Sequence, residues 1–170
     1  MCHIGVDEFL TRIFQRIDAI HFLPSTISKL PTIVLTMNGV DLQLVFPIPV
    51  DVTRVNSYLR ADVQKLISNP YGAGWCYEGM LSDPHSSATK EPLSKIMRGD
   101  EVRQWMRGEM HHLTEFIQDQ IIPNQTSGQP VMMDGGAVHP DFIDHLQRQE
   151  LLNLFNEFFS PYANWRKTSS

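Results

Sequence analysis

A chain of 170 residues, 42% of them hydrophobic, carries enough apolar material for one compact domain, or for a small domain with an appended subdomain. Its net charge of −5 and pI near 5.7 offer no broad positive field, which argues against nucleic acid as a partner. Two cysteines, Cys2 and Cys76, build neither a disulfide framework nor a cysteine-rich zinc site and suit a reducing cytoplasm. The first ten residues lack a basic n-region, and no later run approaches the about 20 apolar residues that span a bilayer, so neither export nor membrane association is expected.

Asp7 is placed to cap a short helix through Phe9, Leu10, Ile13, Phe14 and Ile17, whose spacing gives one apolar face. Residues 32–37 are rich in β-branched side chains, and Asn38-Gly39 separates them from a second extended run at 40–46. Asn and Gly tolerate the positive φ of a type I′ turn, so the two runs form a hairpin. Pro47 and Pro49 cannot donate to a ladder and suit an edge or corner, after which Val50, Val52 and Val55 continue extended up to Asn56. A helix is expected near 60–67. The turn-rich Asn69-Pro70-Tyr71-Gly72-Ala73-Gly74-Trp75 then delivers Trp75, Tyr77 and Gly79 to a last strand.

Residues 81–91 shift to Ser, Asp, Pro and His and read as a linker or long loop. Residues 92–122 read as helical, with the longest helix starting at Gly99-Asp100 and carrying Val102, Trp105, Met106, Glu109, Leu113, Phe116, Ile117 and Ile121 at near-helical spacing. A polar connection at 124–129 precedes a short extended piece at 131–138, broken by Gly135-Gly136. A final helix over 140–159 turns Phe142, Leu146, Leu151, Leu154, Phe155 and Phe158 inward, and the tail after Pro161 is expected to fray. The sequon Asn124-Gln125-Thr126 is expected to go unused without an export signal.

The stretch Leu44-Val45-Phe46-Pro47-Ile48-Pro49-Val50-Asp51-Val52-Thr53-Arg54-Val55-Asn56, followed by Asn69-Pro70-Tyr71-Gly72-Ala73-Gly74-Trp75, resembles the second half of glycine cleavage H proteins. There Pro-Val-Ser-Gly-Glu-Val leads through a Val-Asn pair to Asp-Pro-Tyr-Gly-x-Gly-Trp, and the match at Pro70, Tyr71, Gly72, Gly74 and Trp75 is its most specific part. Ile4-Gly5-Val6-Asp7-Glu8-Phe9 and Ile20-His21-Phe22-Leu23-Pro24 resemble the family's helix start and a strand ending in Leu-Pro. The resemblance covers about residues 4–80. It implies an α+β chain: a lipoyl-type β-barrel or sandwich over 4–80, missing its first strand, with a mainly helical C-terminal extension over 92–160. Such a barrel would expose an edge through which a homo-oligomer can pair.

H proteins carry lipoyl-lysine at a hairpin tip, and counting back from Pro47 puts that position at Gly39, between Asn38 and Val40. Gly39 offers no amine to acylate. Lys29 precedes the hairpin and Lys65 follows it, so neither reaches the tip by a one-residue slip. Pro49-Val50 also replaces the family's Ser-Gly, removing a glycine suited to a sharp bend. The helical extension resembles that of divergent H-like proteins, a likeness that implies no activity.

Other chemistry is weaker. His111 and His112 diverge by about 100° on a helix, while Glu109 with His112, or His111 with Glu115, share a face and could join His85, His139 or His145 at a metal; a solvated helix surface is the simpler reading. Asp134-Gly135-Gly136 reads as a turn rather than a catalytic loop. Cys76 has no evident activating base and reads as a packed residue, and Trp75, Tyr77 and Trp105 as core aromatics, one of which could face a partner.

These residues favour a noncatalytic, cofactor-free H-like scaffold that binds an as yet unidentified protein partner. The alternatives are a lipoyl-dependent carrier of a glycine cleavage-like complex, a metal-assisted enzyme built on the extension, and a truncated product of a decaying gene.

Overall fold

The computed structural model describes residues 1–24, 29–124, 139 and 141–160. The expectations for 125–129, for 131–138 with Asp134-Gly135-Gly136, for most of the sequon and for the tail after Pro161 lie outside the described residues. In chain order the strands are β1 (Cys2–Ile4), β2 (Ala19–Leu23), β3 (Thr32–Met37), β4 (Val40–Val45), β5 (Val50–Val55) and β6 (Tyr77–Leu81). The helices are α1 (Glu8–Ile13), α2 (Gln64–Ser68), α3 (Ser87–Ser94), α4 (Asp100–Phe116) and α5 (Arg148–Phe159). The fold is thus α+β.

The strands form two three-stranded antiparallel sheets, ordered β1-β6-β5 and β2-β3-β4, and do not close into a barrel. The chain crosses between sheets where Phe46 N–H donates back to the Pro31 carbonyl and Pro47, an exposed bend, has no N–H to donate. Side-chain hydrogen bonds join the sheets. The buried Tyr77 hydroxyl donates to the Thr32 carbonyl, and Lys29 Nζ, just before β3, reaches Asp51 Oδ1 at 2.7 Å and Ser82 Oγ at 2.9 Å.

Strand β4 shows why the hairpin forms: Val40 and Leu42 are buried while Asp41 and Gln43 face out, the period of a half-buried strand. Its inner face joins a hydrophobic cluster that runs from Ile33, Leu35 and Leu42 through Phe9, Ile13 and Phe14 to Leu113 and Ile117 of the α4 region and Leu151, Leu154 and Phe155 of α5. Phe9 meets Trp105, Phe158 and Phe159 at centroid distances of 5.6, 5.6 and 5.7 Å, so α1 is the wedge on which the C-terminal helices pack.

Four expectations are corrected. The N-terminus does not lead directly into a helix: Cys2, His3 and Ile4 pair with Gly79, Glu78 and Tyr77, so a first strand is present and covers one edge of β6. Helix α1 is shorter than the apolar spacing implied; it stops at Ile13, and Phe14 and Ile17 are buried beyond its end. The supposed linker contains α3, held by Thr89, fully buried, whose hydroxyl donates to the Ser82 carbonyl at 2.7 Å. A captured threonine leaves no apolar stripe to read. The final helix starts at Arg148, because Glu150 Oε2 accepts from the Gln147 N–H at 2.9 Å in the pattern of an N-terminal cap, while the Ile143–His145 turn before it is a separate 3-10 piece.

Candidate functional site

Asn38 and Gly39 form the β3–β4 turn, both exposed, with φ of 49° and 70°. Asn38 is tied on two sides. Its backbone N–H donates to Asp18 Oδ2 at 2.9 Å, and its side-chain Nδ2 donates to the Ile143 carbonyl at 2.7 Å. Arg16 stitches the same region, lying 3.5 Å from Asp18 and 3.6 Å from Asp144. Around Gly39 the position of a Cβ is empty to 4 Å, so the tip itself faces open space.

The lysines stand elsewhere. Lys29 is engaged with Asp51 and Ser82 at the far end of β3 from the tip, and Lys65 lies 3.6 Å from Asp62 on α2.

Buried Asn56 ties together the largely exposed 70–75 loop. Asn56 Nδ2 donates to the carbonyls of Ala73 and Trp75 at 2.9 and 2.8 Å, and its backbone N–H donates to the Cys76 carbonyl at 3.0 Å. Gly74 is needed for close approach: a Cβ there would lie 2.7 Å from the carbonyl oxygens of Asn69 and Lys65, whereas one on Gly72 would meet only the movable end of the Asn69 side chain. Pro70 starts the turn, and Tyr71, 74% exposed, takes the Glu8 N–H onto its hydroxyl at 3.1 Å. Pro70, Gly74 and Asn56 therefore shape the loop, while Tyr71 and Trp75 reach its surface.

Trp75 is not a core residue. It is half-buried, stacked on His3 with ring centroids 5.0 Å apart and planes 11° apart, and the Arg54 guanidinium lies 5.0 Å over its ring. His3, Glu78 and Arg54 occupy one row across β1, β6 and β5. Neighbouring strands lie about 4.8 Å apart, so the gap between His3 and Arg54 admits one aromatic ring. Both bind Glu78 Oε2 at 2.7 Å, and these contacts, that of His3 first, hold the Glu78 carboxyl below the usual glutamate range. Beside this stack, His3, Asp7, Pro70, Tyr71 and Trp75 line a groove of about 290 Å3. Sequence reasoning missed His3, Arg54 and Glu78, because only the β1 register brings them together.

Cys76 is fully buried, and burial pushes its thiol up to about 12. Tyr77 and Trp105 pack into or against the core, as their spacing suggested. Of the candidate metal ligands, His111 Nε2 lies 3.4 Å from Glu115, whereas His112 Nε2 turns to Glu157 of α5 at 3.0 Å. His85 and His145 are exposed, and His139 Nδ1 lies 3.9 Å from Asp141. Among the described residues, no three His, Cys, Asp or Glu side chains come together as a metal site. Nor is any described helix long and apolar enough to cross a membrane.

No protein-family model matches the chain, and no curated protein sequence does.

Proposed function

We propose that this chain is a non-lipoylated, H protein-like interaction module, with a lipoyl-type core whose hairpin tip has lost its carrier role and whose surface binds a protein partner. The observation that carries the reading is the tip itself: Gly39 stands where the resemblance puts the acyl-bearing lysine, and Asn38 beside it is tied to Asp18 and Ile143. A swinging arm needs an amine at a free turn. Lys29, the nearest lysine in sequence, has its ammonium committed to Asp51 and Ser82.

The surface we assign to the partner is the groove beside Trp75, where Tyr71 is exposed and Trp75 stacks against His3 and Arg54. A reducing cytoplasm is its setting, consistent with two cysteines that remain free.

Lipoate ligase with lipoate and ATP tests the reading. The natural chain is expected to leave the reaction at its original mass, whereas a Gly39→Lys variant supplies an amine at the tip as a comparison. Acylation of the natural chain at any lysine would refute the non-carrier assignment.

A further inference from the structure

The hairpin tip joins a chemically fragile backbone step to a long-range contact. We propose that Asn38 is a deamidation site, and that its conversion to aspartate or iso-aspartate releases the Ile143–His145 turn from the tip, a one-way latch. The inference rests on the geometry of the turn and is independent of the function proposed above.

The step needs a backbone nitrogen that can reach the Asn38 Cγ. Gly39 supplies one without a side chain to shield it, at an exposed turn where nothing lies within 4 Å of the missing Cβ. The Gly39 nitrogen, losing its proton to solvent, attacks Cγ; a C–N bond forms, the Cγ–Nδ2 bond breaks, and Nδ2 leaves as ammonia after taking a proton from water. A second water opens the resulting five-membered imide at either carbonyl, giving aspartate or iso-aspartate. No oxidant or reductant is required.

What makes the reaction consequential is the amide that is lost. Nδ2 is the group that donates to the Ile143 carbonyl, 105 residues away. A carboxylate there has no proton to donate and sets an anion against a carbonyl oxygen. Its charged surroundings are already acidic: Asp18 accepts the Asn38 N–H, Asp144 follows Ile143, and Arg16, the cation between them, is shared at 3.5 and 3.6 Å. Iso-aspartate adds a further backbone atom to a two-residue turn whose flanks, Met37 and Val40, are paired. The docked amide is held toward Ile143, so reaction proceeds from the undocked state, and the product resists redocking.

The test ages the full chain in mildly alkaline buffer at physiological temperature and maps each asparagine by peptide mass, with hydrogen exchange over residues 142–147 as the second readout. Conversion is expected at Asn38 ahead of the other asparagines, with exchange of that segment several-fold faster in Asn38→Asp than in the natural chain. If Asn38→Asp does not fold, the aged natural chain, separated by charge, replaces it. Slower conversion at Asn38 than at other asparagines, or exchange in the carboxylate form no faster than in the unconverted natural chain, would overturn the proposal.

Discussion

Asn56 and Trp75 are joined by a part-buried hydrogen bond, Asn56 Nδ2 to the Trp75 carbonyl at 2.8 Å, and the same nitrogen holds the Ala73 carbonyl at 2.9 Å. One side chain thus closes the 70–75 loop from beneath. Asn56→Ala leaves two inward carbonyls without a donor and is expected to cost about 2–3 kcal/mol. Asn56→Asp is expected to cost more, because a carboxylate would face both. Urea unfolding checks this: the midpoint falls while the slope stays unchanged.

The glycines separate by mechanism. Gly74→Ala puts a methyl 2.7 Å from two backbone carbonyl oxygens, and a rigid clash of this kind is expected to cost about 2 kcal/mol or more. Gly39→Ala meets no atom but must hold φ at 70°, at about 1 kcal/mol. Gly108→Ala, exposed within α4 with nothing nearby, is expected to stabilise by about 0.5–1 kcal/mol. Thermal unfolding of the three variants orders them.

Much of this architecture was legible because it is local. Asn38-Gly39 between a β-branched run and a second extended run fixes the hairpin, and the apolar spacing of α4 and α5 marks the faces they bury. What escaped reading depends on partners distant in sequence. Cys2–Ile4 is too short to show periodicity and becomes a strand only by pairing with β6, which then assembles His3, Glu78, Arg54 and Trp75. Helix α3 escaped for a related reason, since Thr89 is held by Ser82. The loop motif was visible, but its physical content was not: Asn56 acts by hydrogen bonding and Gly74 by close approach, which spacing alone does not display.

The two thiols are expected to behave differently. Cys76 is fully buried with its thiol raised to about 12, mainly by desolvation, whereas Cys2 is only half-buried with its Sγ on the Gly79 carbonyl. Iodoacetamide at neutral pH should label Cys2 alone in the native protein and both residues in denaturant. A raised thiol value also has a stability consequence. The unfolded thiol ionises near about 8.5, so the contribution of a neutral, buried Cys76 is complete below that pH and declines as pH rises toward 12. Cys76→Ala should therefore flatten the alkaline limb of the stability profile, and an unchanged limb would contradict this.

Acid acts through Glu78. His3 and Arg54 hold its carboxyl low in the folded chain, so this contribution is present above the unfolded value of about 4.3 and is lost as pH falls through the lower folded value. Glu78→Gln is expected to weaken stability at neutral pH and to reduce its further loss in acid. Trp75 fluorescence, sensitive to the His3 and Arg54 contacts, should change over the same acid range in the natural chain, alongside signals from the other two tryptophans.

The non-carrier assignment is tested most directly by the intact mass of the protein isolated from its own host, with every lysine mapped. The lysines, including Lys29 and Lys65, are expected to be free of lipoate. A lipoyl group on any of them would contradict the assignment and show that Gly39 does not mark a lost attachment point.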